Sequence, residues 1–527
     1  MTYCLRVLLL FALFCVCVGS AQQSDPLPGS LTAPDNGPVS QDSGQSLADQ
    51  ARKLRKDHSE DTQITAEETK KLFAAVDRIA SFASQDSGFP LHSPIKRRMI
   101  TRDDLEKSAR AKLSKPEYED RFARSELTMK KFGLLPRDFD LKEFLVKSQR
   151  KNIAAYYDDE TKSISLLNTI PLEEQQAILA HELTHALQDQ NYDLRTWMKS
   201  GDASDESNEA RRAVVEGQAT VVFIDYLLAR VGRSVENTPG IVYRMEDPAV
   251  KFAVDSQLMH AAPMILREWG TFPYRDGLIF EGELLQAGGK KLAFPEVFAR
   301  PPRTSHEVIQ PRAYLNREKI TPVPIPNAQL VLGDTYELYD SGSIGELDVR
   351  ALLWQLATRT LADDLSKNWR GGAYVAFRKK ATAAAASTSD LKLLYVSRWE
   401  SAEAAQRFAK FYLTAVARRY QSATLDSNPP CTSADCPLSS AVITTEEGPV
   451  MVDVWKDNTV LVSESFDQET AAKLVNATRD ISQKHANIYV PQEELGMRFY
   501  DLPAFRVFQE RAGDAILIRS ILSLPTN

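Results

Sequence analysis

Cysteine is scarce: the chain of 527 residues has five, and Cys4, Cys15 and Cys17 all fall in one N-terminal apolar stretch. Basic residues are not in excess either. With 64 Lys and Arg against 71 Asp and Glu, the formal net charge is −7, which argues against a dedicated nucleic-acid binder. Runs such as Lys96-Arg97-Arg98 are short and read as solvated surface. Long apolar segments are missing beyond the first twenty residues, so a polytopic membrane protein is excluded. What is present is 43% hydrophobic and 26% charged residues, close to a soluble globular average, in a length suited to two or three domains.

The N-terminal stretch Val7–Val18 follows Arg6 and precedes Gly19-Ser20-Ala21. It is too short to span a bilayer comfortably and has the layout of a secretory signal peptide over residues 1–21, with an uncleaved anchor as the alternative. The expectation is bacterial-type export to a secreted or periplasmic location, with no stable membrane insertion after cleavage. Cys431 and Cys436 then form an even pair in Pro-Cys-Thr-Ser-Ala-Asp-Cys-Pro. In an oxidising compartment they most simply close a small disulfide loop, because no second Cys or His pair lies nearby to make a metal site.

Residues 22–60 read as a flexible linker, rich at first in Gln, Ser, Asp, Pro and Gly. Helical periodicity begins near Thr65, and an extended run follows at Ile95–Ile100. Ile153–Tyr157 and Ser163–Leu167 read as a hairpin around a polar turn. A helix starts near Thr169 and fades near Asp189, and another runs from about Asp205 to Val231 with Gly232 as its stop. Past Asn368 two strand–strand–helix units follow in succession, ending in helices at Ser401–Tyr420 and Gln468–Ile481. They suggest a small α+β domain over 366–527, with the character of an internal duplication.

The chemistry is carried by His181-Glu182-Leu183-Thr184-His185. Histidines at i and i+4 lie on one helical face, so their imidazoles can converge on one cation. Catalytic zinc takes three protein ligands and keeps a fourth position for water. Glu182 can reach that water without binding the metal and accept its proton. The bland alternative is a helix whose two histidines bind nothing.

The next long helix offers a third ligand in Glu216, 31 residues after His185 and flanked by Val214, Val215, Val221 and Val222. A carboxylate there is costly to bury without a partner, and a metal supplies one. The alternative is a pairing with Arg212, one turn earlier. Gly217 costs about 1 kcal/mol in a helix relative to Ala, and makes sense if another backbone passes close by, as in a crossing of the two metal-bearing helices. One zinc per chain is expected.

The run His-Glu-Leu-Thr-His-Ala-Leu-Gln-Asp at 181–189, with Glu216 on a following helix, resembles the thermolysin-like gluzincin metallopeptidases. It is also similar to exported bacterial HExxH proteins that share the Tyr-Tyr-Asp-x-x-Thr-Lys hairpin, the Glu-Gly-x-Ala-Thr helix and a Pro-Pro-x-[Ser/Thr] segment, here Pro301–Thr304. The resemblance implies an α+β fold over 61–365: a zincin-like domain with a mixed sheet, an edge strand beside the active-site helix, and a helical lower half. It also implies hydrolysis of peptide bonds in a peptide or protein substrate.

The His185-to-Glu216 interval is longer than in that family, and Thr220 stands where the family has an acid that supports a ligand histidine. Asp189 and Glu209 are the other candidates for orienting the histidines. For the oxyanion donor, which the family supplies from a downstream Tyr or His, His306 is the choice, with Tyr274 and Tyr314 as rivals. The remaining histidines, His58, His92, His260 and His485, lack ligand spacing. Two other readings stay open: a catalytically silent zincin scaffold that binds a partner, and a zinc amidase acting on cell-wall crosslinks.

Overall fold

The computed structural model describes residues 64–101, 103–104, 107, 116–148, 155–168, 172–200, 204–243, 261–320, 323, 325–380, 387–426 and 436–484. The signal-peptide and linker assignments, His58, His260, His485 and Cys431 lie outside these residues.

Helix α1 (Ala66–Ser87) opens with a reciprocal cap between Thr65 and Glu68 and stops at Gly88 in the left-handed region, φ 75°. Leu72, Val76, Ile79 and Ala83 line its buried face. Strand β1 (Lys96–Ile100) follows, then α2 (Pro116–Phe132), and then the hairpin of β2 (Ala155–Asp158) and β3 (Ser163–Leu167). The order in this small sheet is β1-β3-β2, with β1 parallel and β2 antiparallel to β3. The sheet is therefore mixed, and β2 is an edge.

Helix α3 (Leu172–Tyr192) carries the histidines, and α4 (Asp205–Leu228) carries Glu216. Ser204 caps α4 by accepting from the Ser207 N–H, with Asp205 and Glu206 at the positive helix end. A 3₁₀ turn and Gly232 at φ 67° finish it, as the sequence leads one to expect.

The longest helix among the described residues, α5 (Met264–Lys291, kinked at Gly289 with φ 64°), has no counterpart in the sequence reading. Pro273 lies inside it and five glycines interrupt its pattern, which hides the periodicity. One of those glycines, Gly277, lets α5 lie almost in contact with α4. A Cβ on Gly217 would come within 2.5 Å of the Gly277 carbonyl oxygen, and one on Gly277 within 2.4 Å of the Ala213 oxygen. The close pass expected at Gly217 is thus real, but its partner is α5 rather than the histidine helix.

The short helix α6 (Ser305–Ile309) leads to β4 (Tyr336–Ser343) and α7 (Glu346–Leu356). Next come β5 (Trp369–Lys379), β6 (Leu391–Trp399), α8 (Ala402–Arg419) and β7 (Ala423–Leu425). The described chain ends with β8 (Ser439–Thr445), β9 (Gly448–Val454), β10 (Thr459–Glu464) and α9 (Gln468–Lys484).

These strands form one antiparallel sheet in the order β4-β5-β6-β10-β9-β8-β7. Both expected strand–strand–helix units are present, the first with one more strand than foreseen (β4) and the second with two (β7 and β8). Period-two alternation sends Leu393 and Tyr395 of β6 into the main core with Phe408 and Tyr412 of α8. Leu394 and Val396 face the other way and share a second core with Leu474 and Val475 of α9. The two helices therefore cover opposite faces.

The expected domain boundary at 366 falls between β4 and β5, inside this sheet. The main core is also continuous from Leu72 to Val462. Buried Lys131 of α2 donates to Glu447 and to the Ser465 hydroxyl, both at 2.8 Å, tying the N-terminal half to the large sheet. The fold is α+β, but its two halves share one interior.

Candidate metal centre

His181 and His185 lie one turn apart on α3, and α4 brings Glu216 to the same point. The His181 Nε2 is 3.2 Å and the His185 Nε2 3.3 Å from Glu216 Oε2, and the two ring nitrogens are 3.1 Å apart. Ligands held at 2.0–2.1 Å around a tetrahedral zinc are spaced by about 3.3 Å. The three atoms thus already form a triangle of the size zinc needs. His181 and Glu216 are 2% and 5% exposed.

The electrostatics also ask for positive charge at this point. Burial alone would lower the His185 pKa, but the Glu216 and Glu182 carboxylates outweigh it and hold the ring at about 9. Burial and the neighbouring His185 push His181 down. Glu216 is kept well below the usual carboxylate range: burial opposes ionisation, and the two histidines overcome it. Arg212 Nη1 reaches Glu216 Oε1 only at 3.9 Å, so the histidines are the closer partners.

The ligating atoms of His181, Glu182 and His185 all lie within 4.8 Å of one another. Glu182 could by that measure be a ligand itself. Glu216 is nearer to both rings, however, and Glu182 Oε2 accepts the Tyr157 N–H from edge strand β2 at 2.8 Å. The arrangement suits Glu216 as ligand and Glu182 as the adjacent base.

Asp189 does not orient a ligand histidine. Its carboxylate accepts from the Tyr157 hydroxyl at 2.6 Å, from Lys162 Nζ at 2.6 and 2.8 Å, and from the Leu194 N–H at 3.1 Å. It anchors the hairpin, and through the Tyr157 backbone it steadies Glu182. Burial and the bond to Asp189 hold the Tyr157 hydroxyl well above its ordinary pKa.

Glu209 does not reach the histidines either. Its two buried oxygens have no hydrogen-bond partner, and the charged groups acting on it are Arg212, Asp348, Glu206 and Asp205. The Thr220 hydroxyl donates to the Glu216 carbonyl of its own helix at 2.7 Å. The contact that sequence reasoning missed is Gln188, whose Oε1 lies 2.9 Å from His185 Nδ1. Its spacing of three residues from His185 was the available signal, but a neutral amide carries no charge to mark it as a group that orients a ligand.

His306 is also misplaced as an oxyanion donor. It pairs with Glu346, and its ring centroid lies 6.0 Å from that of Trp369. The neighbouring Ser305 binds Glu206, which precedes Glu216 by about 15 Å of helix. Tyr314 donates to the Arg300 carbonyl. Tyr274 of α5 is the downstream candidate found at the histidines, with its ring stacked on His181 at 6.0 Å and 25°. Long-range packing decides these positions, and α5 was invisible in the sequence.

Elsewhere, Cys436 is disulfide-bonded. The exposed His92 contacts Asn191 at 3.0 Å. Among the described residues no helix is long and apolar enough to cross a membrane.

A family model described as a domain of unknown function, DUF8575, matches residues 335–474. That span is the large sheet with α7, α8 and the start of α9, and it leaves out the metal centre. No curated protein and no solved structure matches the chain.

Proposed function

We propose that this chain is an exported zinc-dependent metallopeptidase with a zincin-like catalytic region. The observation that carries the reading is the triangle of His181, His185 and Glu216, with edges of 3.1 to 3.3 Å and Glu182 beside it. Two imidazoles and one carboxylate are the donor set of a catalytic rather than a structural zinc site. When bound, zinc supplies Lewis acidity, lowering the pKa of a water and polarising a carbonyl.

The chain's own residues do the rest. Glu182 takes the water's proton and passes it to the leaving amine. The Tyr157 N–H holds the Glu182 carboxylate in place, and Asp189 with Lys162 holds Tyr157. The mixed sheet puts edge strand β2 next to α3, where an extended peptide can lie alongside it. Tyr274, stacked on His181, takes over the oxyanion-stabilising role first assigned to His306.

The test is cleavage of a mixed peptide library by residues 22–527, zinc-loaded, with Glu182→Gln alongside. Chelator-sensitive cleavage by wild type, and loss of at least about a hundredfold in the variant, is expected. Equal rates for the two proteins, or none from wild type with one zinc bound, would overturn the reading.

A further inference from the structure

We infer that the tautomer of His185, and with it the metal-binding competence of the site, is set by a neutral relay of two glutamine amides ending on backbone carbonyls. This rests on the zinc reading above and specifies how the site is kept ready for the metal.

The relay can be read from its far end, where no ambiguity exists. The Gln218 amide points at the carbonyl oxygens of Ala293, at 2.7 Å, and Phe294, at 3.2 Å. Both belong to a widened π-turn, Leu292–Glu296, that follows α5. Carbonyls only accept, so the group facing them is the Gln218 NH₂, and its oxygen must face the other way.

That oxygen accepts from Gln188 Nε2 at 2.9 Å, and the same nitrogen donates to the Val215 carbonyl at 3.1 Å. Gln188 is fixed in turn, because its NH₂ has two acceptors before it. Its oxygen is left facing His185 Nδ1 at 2.9 Å. Nδ1 must therefore carry a hydrogen, so Nε2 is the nitrogen that gives up its proton to a metal at the point it shares with His181 and Glu216. Both glutamines are fully buried, so water does not compete for these bonds.

A carboxylate in the place of Gln188 would orient the ring and also raise its basicity. An amide orients without adding charge. The relay also crosses three segments, α3, α4 and the π-turn, so the correct tautomer depends on their being docked together. Gln218 bonds Gln188 and the π-turn carbonyls rather than a ligand side chain. It is a positioning residue, acting two side chains away.

The experiment measures zinc affinity by chelator competition, together with the His185 tautomer by ¹⁵N-histidine NMR on the same full-length samples. Seven histidines make the spectrum tractable. The variants are Gln188→Leu and Gln218→Met, the second keeping the stem should the first fail to fold. Thr220→Val is the control for a buried hydroxyl lost from α4.

Gln218→Met is expected to weaken zinc binding by about tenfold and Gln188→Leu by up to a hundredfold. In metal-free samples titrated to the pH at which the ring is neutral, His185 should be Nδ1-protonated in wild type and a tautomer mixture in Gln218→Met, with Thr220→Val like wild type in both readouts. Wild-type affinity and tautomer in Gln218→Met would overturn the relay while leaving the zinc reading intact. So would an equal loss in Thr220→Val, which would mark general loosening of α4. Failure of wild type to bind zinc would instead remove the reading on which the relay rests.

Discussion

Replacing Gly277 with alanine tests how the metal centre depends on the α4–α5 crossing. The new Cβ would sit 2.4 Å from the Ala213 carbonyl oxygen, an oxygen of helix backbone rather than the end of a flexible side chain. An ordinary carbon–oxygen contact is about 3.3 Å or more, so the helices must separate by nearly 1 Å. Overpacking of this kind costs roughly 1–3 kcal/mol. Alanine recovers about 1 kcal/mol of helix propensity, leaving a net destabilisation of up to roughly 2 kcal/mol.

The displaced helix is the one that carries Glu216, so zinc should also bind about tenfold more weakly. Urea unfolding and chelator competition measure the two effects. Gly240→Ala is the control, because a Cβ there meets nothing within 4 Å, and it should stay within about 0.5 kcal/mol of wild type. If Gly277→Ala matches this control in midpoint and in zinc affinity, the close crossing does not position Glu216 and the reasoning fails.

Asp189→Asn should keep zinc affinity near the wild-type value, yet slow turnover about tenfold by loosening the hairpin that holds Glu182; a kcat unchanged at equal zinc loading would contradict this. Glu209 lies in a buried acidic group at the start of α4. Burial raises its pKa well above the ordinary 4.5 against the pull of Arg212, with Asp348, Glu206 and Asp205 adding to the rise, while Glu206 beside it is pushed up to about 8. For such carboxyls the folded state holds protons that the unfolded chain has lost. Their contribution is complete below about pH 4.5 and is lost as the pH rises, for Glu206 through about 8. Glu209→Gln should therefore raise the urea midpoint at pH 8.5 by more than at pH 5, and the reverse ordering would refute the sign.

What could be read from the sequence was local. The four-residue spacing of His181 and His185 contains its own geometry, since one helical turn places both on one face. Glu216 was legible because a carboxylate among valines needs a partner, and the hairpin because two β-favouring, apolar runs and the polar turn between them lie within fifteen residues. The illegible parts depend on chain segments far apart. Pro273 and the glycines of α5 erase its helical pattern, so neither the Gly217–Gly277 crossing nor the stacking of Tyr274 on His181 could be foreseen. His306 lies in a loop-rich stretch whose place is set by Glu206, Glu346 and Trp369, each on a different element. Gln188 and Gln218 escaped notice because neutral amides are ordinary in helices, and only their hydrogen-bond directions reveal a role.

The central claim is that His181, His185 and Glu216 together hold one zinc. X-ray absorption at the zinc edge of residues 22–527, with metal content measured on the same sample, tests it most directly. One zinc per chain is predicted, with two imidazoles in a shell of nitrogen and oxygen ligands at about 2.0–2.1 Å, and binding lost in His181→Ala/His185→Ala. A sulfur shell near 2.3 Å, or full zinc content retained by that double variant, would contradict it.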